Sequence, residues 1–348
     1  MNRRTFMRGT AGAAGLSALA VEAAGPADAE SAPAGSAARR AFRPPAGPRA
    51  RVIISNDLGA DPDGLFAFVH QVMSPSTEVR MVVGAHAQLP TDPFDTGKYQ
   101  AEDSHQAAVT MLRLMRRSDV KAYAGSNDAL KDATTPRVTA GAKAIVAEAT
   151  RTDTDLPLYI TAGGTLTDVA SAYLMEPGIA GKATLVWIGG KPYPAGGSEY
   201  NFNADPLAAQ VLFNQSSMPI WQIPSDVYSM CMVSDFELQQ YVATADDIGH
   251  WLWRNQLDYY QRFAKRINFG EVYQLGDSPL VLLTALTSPW DKSATYSSPY
   301  DTMYAPHLNA DGTYTSRDSG RKIRVYKGVD TRLMYADFFA KLQALYGK

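Results

Sequence analysis

The sequence has a single cysteine, Cys231, so no intrachain disulfide can staple the chain and the fold must be held by its own core. It has no uninterrupted apolar run approaching the ~20 residues that a membrane-spanning helix needs. It also lacks an excess of either charge: 33 Lys and Arg stand against 35 Asp and Glu, a net charge of -2. No basic cluster recurs along one face of any segment, which disfavours nucleic acid and anionic membranes as partners. What remains is an ordinary globular composition, 45% hydrophobic and 20% charged over 348 residues, enough for one large α/β domain or two smaller ones.

The first 29 residues differ from the rest. A basic start, a mildly apolar Ala/Gly/Leu stretch and a small-residue ending at Ala27-Asp28-Ala29 read as a signal peptide rather than a membrane anchor. Arg3-Arg4 followed by Thr5-Phe6-Met7 is similar to a twin-arginine export signal, which implies an exported (periplasmic or secreted) protein. Residues 30–48, rich in Ala, Pro, Gly and Ser, read as a flexible linker, and 49–348 as one domain.

From Ala50 onward, short apolar runs alternate with stretches of helical spacing. "RVIIS", "VRMVVGA", "KAYAG", "LPLYITAGG", "ATLVWIGG" and "PIWQIP" read as strands. "LFAFVHQVM", "SHQAAVTMLRLMRR" (capped by Asp103 or Ser104), "AGAKAIVAEATR", "TLTDVASAYLM" and "DPLAAQVLFNQS" read as the helices between them. This order predicts an α/β fold, a mainly parallel open sheet flanked by helices. Beyond Ser234 the pattern turns mainly helical, closing with a strand and a helix in "RKIRVYKGVDTRLMYADFFAKLQALYG". Ligands of such sheets bind outside the carboxyl ends of the strands. The loops there are polar or glycine-rich: residues 56–63, His86, residues 163–167, Gly189-Gly190 and "SEYNFNADP".

The first of those loops, "SNDLGADPDG", packs Asp57, Asp61 and Asp63 into one turn between a strand and a helix. Three carboxylates so close repel one another unless a cation or a shared proton offsets the repulsion. A hard divalent cation such as Ca²⁺, which takes carboxylate and carbonyl oxygens, suits them. The plainer explanation is that Asp61 or Asp63 merely caps the following helix.

This loop resembles the aspartate-rich signature of the nucleoside hydrolase family, and four further segments match in the family's order: "GGTLTDVASAYL", "TLVWIGG", "SEYNFNADPLAAQVLF" and "LGDSPLVLLTAL". The resemblance implies a Rossmann-like sheet and a Ca²⁺-dependent hydrolase that cleaves the N-glycosidic bond of a nucleoside or related furanoside. It implies Asp57 as metal ligand and general base, and Asp63 at the metal or the ribose. Thr167 would lend a metal-binding carbonyl and Asp277 a late metal carboxylate, with Asp61 as a substitute ligand. Glu199 and Asn201 would hold the sugar. Asp168 replaces an Asn, and family relatives imply a homo-oligomer.

There are departures. Gly64 stands where the family has the second Asp of a pair, Ser55 replaces a leading Asp, and Gly276 replaces the His that helps protonate a purine. The family's Asn after the second strand has His86 or Gln88 as its nearest counterpart. His86 and Tyr200 are candidate substrate contacts, with Tyr273 beside them; Trp187 reads as core, and Trp251 and Trp253 as either. His70, His105, His250 and His307 read as structural or surface. Two alternatives stay open: a glycosidase acting on another extracellular carbohydrate, and a degenerate member that binds a sugar or nucleoside without turnover.

Overall fold

The computed structural model describes residues 44, 47–87, 100–288 and 297–347. The expected signal peptide lies outside the described residues, as do most of the linker and Gln88. The described residues form one compact unit.

Its spine is an eight-stranded sheet. The strands are β1 (Ala50–Asn56), β2 (Thr77–Gly84), β3 (Lys121–Ala124), β4 (Leu158–Ala162), β5 (Ala183–Ile188) and β6 (Ile220–Ile223). Then come β7 (Met232–Ser234), β8 (Val272–Gln274), β9 (Tyr300–Tyr304), β10 (His307–Leu308), β11 (Tyr314–Thr315) and β12 (Lys322–Tyr326). The sheet runs β3-β2-β1-β4-β5-β6-β12-β9, parallel throughout except for the antiparallel edge pair β12–β9. β7 pairs with β8 and β10 with β11 in separate antiparallel ribbons.

The apolar run in β1 is buried on both faces, as its unbroken hydrophobicity implied. Val52 and Ile54 point into a layer with Phe66, Phe68, Met111 and Phe338. Ile53 points into the opposite layer with Ile145, Val169 and Leu185. Helices Asp63–Val72, Ala101–Leu114 and Thr331–Tyr346 contribute to the first layer, and Ala140–Ala149 and Thr167–Met175 to the second. From β1 the chain moves outward through β2 and β3, then returns to lay β4 on the other side of β1. This reversal opens a crevice at the carboxyl ends of β1 and β4.

Three expectations are revised. The Ala101–Leu114 helix starts earlier than its polar residues suggested: Gln100 is its cap, and Asp103 reaches back to accept the Gln100 N–H at 3.0 Å. The 205–216 segment is α-helical only over Pro206–Gln210 and widens to a π-helix over Val211–Gln215. The mainly helical C-terminal part also carries β9, which extends the sheet beyond β12. No helix among the described residues is long and apolar enough to cross a membrane.

At the amino end of β1, away from the crevice, Arg51 is buried and bonded to Glu148 Oε1 at 2.6 Å and to the Leu156 carbonyl at 3.1 Å. Arg80 and Arg151 approach the same carboxylate. Removing Glu148 would strand a buried guanidinium. Glu148→Ala is expected to lower unfolding free energy by about 3 kcal/mol in urea titrations, while leaving KM unchanged.

Candidate active site

β1 ends at Asn56, and the turn that follows places Asp57, Asp61 and Asp63 at the carboxyl edge of the sheet. Simple capping does not explain these aspartates. The helix Asp63–Val72 has Pro62 at its N-cap and no side-chain cap bond. Instead Asp57, Asp61 and Asp63 line a cavity of about 240 Å³ together with Asp277, Glu199, Asn201 and Tyr200. Gly163, at the end of β4, forms part of the wall, and Tyr228, Tyr259 and Gln274 complete it with Ala60 and Ile188. None of these lining residues is basic.

Burial is the dominant electrostatic fact. It pushes the carboxyl of Asp57 well above the usual range, and the charges of Asp277 and Asp61 push it further. Asp63 is raised for the same reasons, burial first, then Asp277 and Asp61. The nearby Asp61 carboxyl raises it through its hydrogen-bonding as well as its charge. Asp277 is raised by burial, against which the Asn56 amide works: Asn56 Nδ2 donates to Asp277 Oδ2 at 2.8 Å.

Glu199 is fixed by three donors. Its Oε2 accepts the backbone N–H of Gly190 at 2.9 Å and of Phe202 at 3.1 Å, and its Oε1 accepts the Tyr228 hydroxyl at 2.8 Å. It thus caps the short helix Tyr200–Ala204 and faces the cavity at once. Asn201 donates to the Ile188 carbonyl at 2.9 Å, and Tyr200 to that of Ala87 at 3.2 Å. Tyr228 packs beside Gly276: a Cβ there would lie 3.4 Å from the tyrosine ring.

Two expected site residues are not at the cavity. Thr167, expected to act through its backbone carbonyl, is fully buried and its hydroxyl donates to Asp205 Oδ2 at 2.6 Å; from the same turn Gly163 lines the cavity. His86 Nε2 lies 3.1 Å from the Thr167 hydroxyl, and burial lowers its pKa, so the ring belongs to a buried polar network. Asp168 is likewise behind the wall, bonded to Thr139 and Ser126, and burial pushes it up to about 6. Trp187 is core, donating to the Gly164 carbonyl at 3.2 Å. Trp251 and Trp253 pack on the core beneath the Asp247–Phe263 helix, and Tyr273 stacks edge-on against Tyr259. His70 is structural, paired with Asp337 at 2.8 Å.

Asn56, Tyr228, Tyr259 and Gln274 were not singled out from sequence. The strand-end rule could have found Tyr228, which follows β6, and Asn56, which closes β1. Tyr259 and Gln274 come from segments whose approach to the sheet has no local sequence signal.

The pattern of the inosine-uridine preferring nucleoside hydrolases matches residues 52–335, spanning the aspartate loop, Glu199, Asn201 and Asp277. The chain belongs to that family. It is a glycosidase that hydrolyses N-glycosyl compounds, and nucleosides are the small-molecule substrates of the family. None of the curated proteins matches it significantly. Solved structures that share its fold include a purine-preferring ribonucleoside hydrolase from Gardnerella vaginalis, 18% identical with a TM-score of 0.66, covering 85% of this chain and 98% of that one. A plant nucleoside hydrolase is 16% identical with a TM-score of 0.62, covering 86% and 100%. An inosine-guanosine nucleoside hydrolase is 16% identical with a TM-score of 0.61, covering 86% and 99%.

For a nucleoside hydrolase the donor set suits a hard cation: Asp57, Asp61, Asp63 and Asp277 supply oxygens, and the buried Asn56 Oδ1 has no hydrogen-bond partner. Asp277 is already engaged by the Asn56 amide. Among the described residues no three acidic, His or Cys groups form a ready cage.

The raised carboxyls carry a stability consequence. Each binds its proton more tightly folded than unfolded, so the folded state is favoured at low pH and loses that advantage as pH rises through the folded pKa values. In chelator, the contribution of this cluster to stability is expected to fall as pH rises from about 4 toward neutrality. Replacing Asp63 with Asn should flatten that fall, read as thermal midpoint against pH.

Proposed function

We propose that this nucleoside hydrolase cleaves N-ribosides with the help of bound Ca²⁺. The observation that carries the reading is the meeting of Asp57 and Asp277, 220 positions apart in sequence, in one buried cavity with Glu199 and Asn201. Asp57, Asp63 and Asp277, with Asp61 in reserve, would hold the cation. When bound, it would lower the pKa of a coordinated water and orient the sugar diol.

The chain's own groups supply the rest. Asp57, its proton affinity raised by burial, takes the proton of the attacking water. The surrounding carboxylates favour positive charge developing on the sugar ring. Glu199, held rigid by Tyr228 and two backbone N–H groups, and Asn201 fix the sugar hydroxyls. Tyr228, Tyr259 and Gln274 offer aromatic faces and an amide to the leaving base. With Gly276 in place of an imidazole, the leaving group is stabilised without that histidine.

The test is release of ribose from inosine and uridine, with Ca²⁺ and with chelator. Chelation is expected to abolish turnover and Ca²⁺ to restore it. Asp57→Asn is expected to lower kcat about 10³-fold, with the fold retained by circular dichroism. Sugar release from other glycosides only, or metal binding without any turnover, would replace this reading with a carbohydrate glycosidase or a non-catalytic binder.

We also propose export through the amino-terminal twin-arginine sequence. Replacing Arg3 and Arg4 together with Lys is expected to keep the precursor in the cytoplasm, checked by cell fractionation. Unchanged export would remove the proposal.

A further inference from the structure

We propose that Asn56 is itself a ligand of the cation at this site, its carboxamide oxygen standing in for a side chain that position 64 does not have. The inference rests on the cation-dependent reading above and adds a residue to it. Asn56 is buried, with 1% of its surface exposed, at the carboxyl end of β1. One end of its amide is committed: Nδ2 donates to Asp277 Oδ2 at 2.8 Å. With a cation bound, Asp277 would be an ionised carboxylate that accepts and does not donate, which keeps the nitrogen end of the amide toward it and the oxygen end free. Oδ1 is left buried with no donor at all. Such an orphan acceptor is unfavourable unless something satisfies it.

The surroundings say what satisfies it. A Cβ on Gly64 would fall 2.4 Å from Asn56 Oδ1 and 3.1 Å from Asp277 Oδ2. The carboxamide oxygen and the Asp277 carboxylate therefore flank the one direction in which a side chain at 64 would grow. On the other side, a Cβ on Gly163 would fall 2.2 Å from Asn56 Nδ2 and 2.3 Å from Asp277 Oδ2. Two glycines thus make room for one amide, packed directly behind the acidic cavity and clamped against the Asp277 carboxylate that lines it. An amide oxygen is an ordinary ligand of Ca²⁺, and unlike a carboxylate it adds no charge to a cluster already strained by repulsion. Asn56 and Gly64 form a coupled pair: the oxygen comes from the strand end rather than from the helix start.

The test is a calorimetric Ca²⁺ titration of the full-length protein, with thermal midpoints measured in chelator and in Ca²⁺. Asn56→Ala is expected to weaken Ca²⁺ binding at least about tenfold. Gly64→Asp alone is expected to lower the midpoint in chelator, since its Cβ meets the amide, and to gain no affinity. Combined, Asn56→Ala and Gly64→Asp should bind Ca²⁺ at least tenfold more tightly than Asn56→Ala, a non-additive outcome that marks the two positions as sharing one place. Should Asn56→Ala not fold, Asn56→Asp keeps the shape and the oxygen. It is expected to retain Ca²⁺ affinity while losing stability in chelator, whereas an amide that only oriented Asp277 would lose affinity in this variant. Wild-type affinity in Asn56→Ala, or no gain in the double variant, overturns the assignment of Asn56 while leaving the cation-dependent reading intact. A wild-type protein that binds no Ca²⁺ overturns both.

Discussion

Like charges that must share a buried space constrain almost everything at the carboxyl edge of this sheet. Asp57, Asp61, Asp63, Asp277 and Glu199 line one small cavity with no basic residue among the lining groups. At an effective dielectric constant of about 20, two full charges about 5 Å apart repel by roughly 3 kcal/mol. A cluster of five cannot stay fully ionised without help. The protein shows one form of that help: the Asn56 amide donates to Asp277. A divalent cation would be another, and it would convert stored repulsion into binding affinity. A site that is unfavourable alone and favourable when loaded is well suited to selecting a cation and a sugar diol together.

The sheet topology makes this concentration feasible. Because β1 and β4 are neighbours whose connections leave in opposite directions, both of their carboxyl ends are free of a direct crossover above them. The aspartate loop descends from one and Gly163 from the other. Asp277 enters just before the buried helix Pro279–Ala285, whose apolar residues pack against β5 and the helix Asp63–Val72. The acidic residues are therefore anchored to rigid elements although the residues themselves sit in turns. Their positions are set by core packing, which dwarfs the local preference of any loop.

Much of this was legible in the sequence because burial writes itself into pattern. Unbroken apolar runs such as "RVII" marked strands covered on both faces, and the strand-end rule pointed to Asp57, Asp63 and Glu199 before any coordinates. Glycine at 64 and 276 was visible as a departure, but its meaning was not, because the groups beside it come from elsewhere: Asn56 at one and Tyr228 at the other. Thr167 is a different case. The resemblance implies a role for its backbone carbonyl; its hydroxyl bonds Asp205, and from the same turn Gly163 lines the cavity. Sequence spacing gives the turn; only packing decides which of its residues faces inward.

The displaced residues are not idle. Asp205 accepts the Thr167 hydroxyl and the Leu130 N–H through Oδ2, and the Ala208 N–H through Oδ1. His86 adds its ring to the same Thr167 oxygen, and Thr165 lies 3.0 Å from it. Four stretches of chain are thus knotted directly behind the Gly163 wall, in a region where every unpaired group would be expensive. Repulsion among the carboxylates pushes outward on that wall, and a loop held only by its backbone would relax and spread them. The buried network resists that relaxation and keeps the carboxylates close together. Residues that resemble site residues in sequence can therefore matter to the chemistry without touching it, by holding apart-tending groups together.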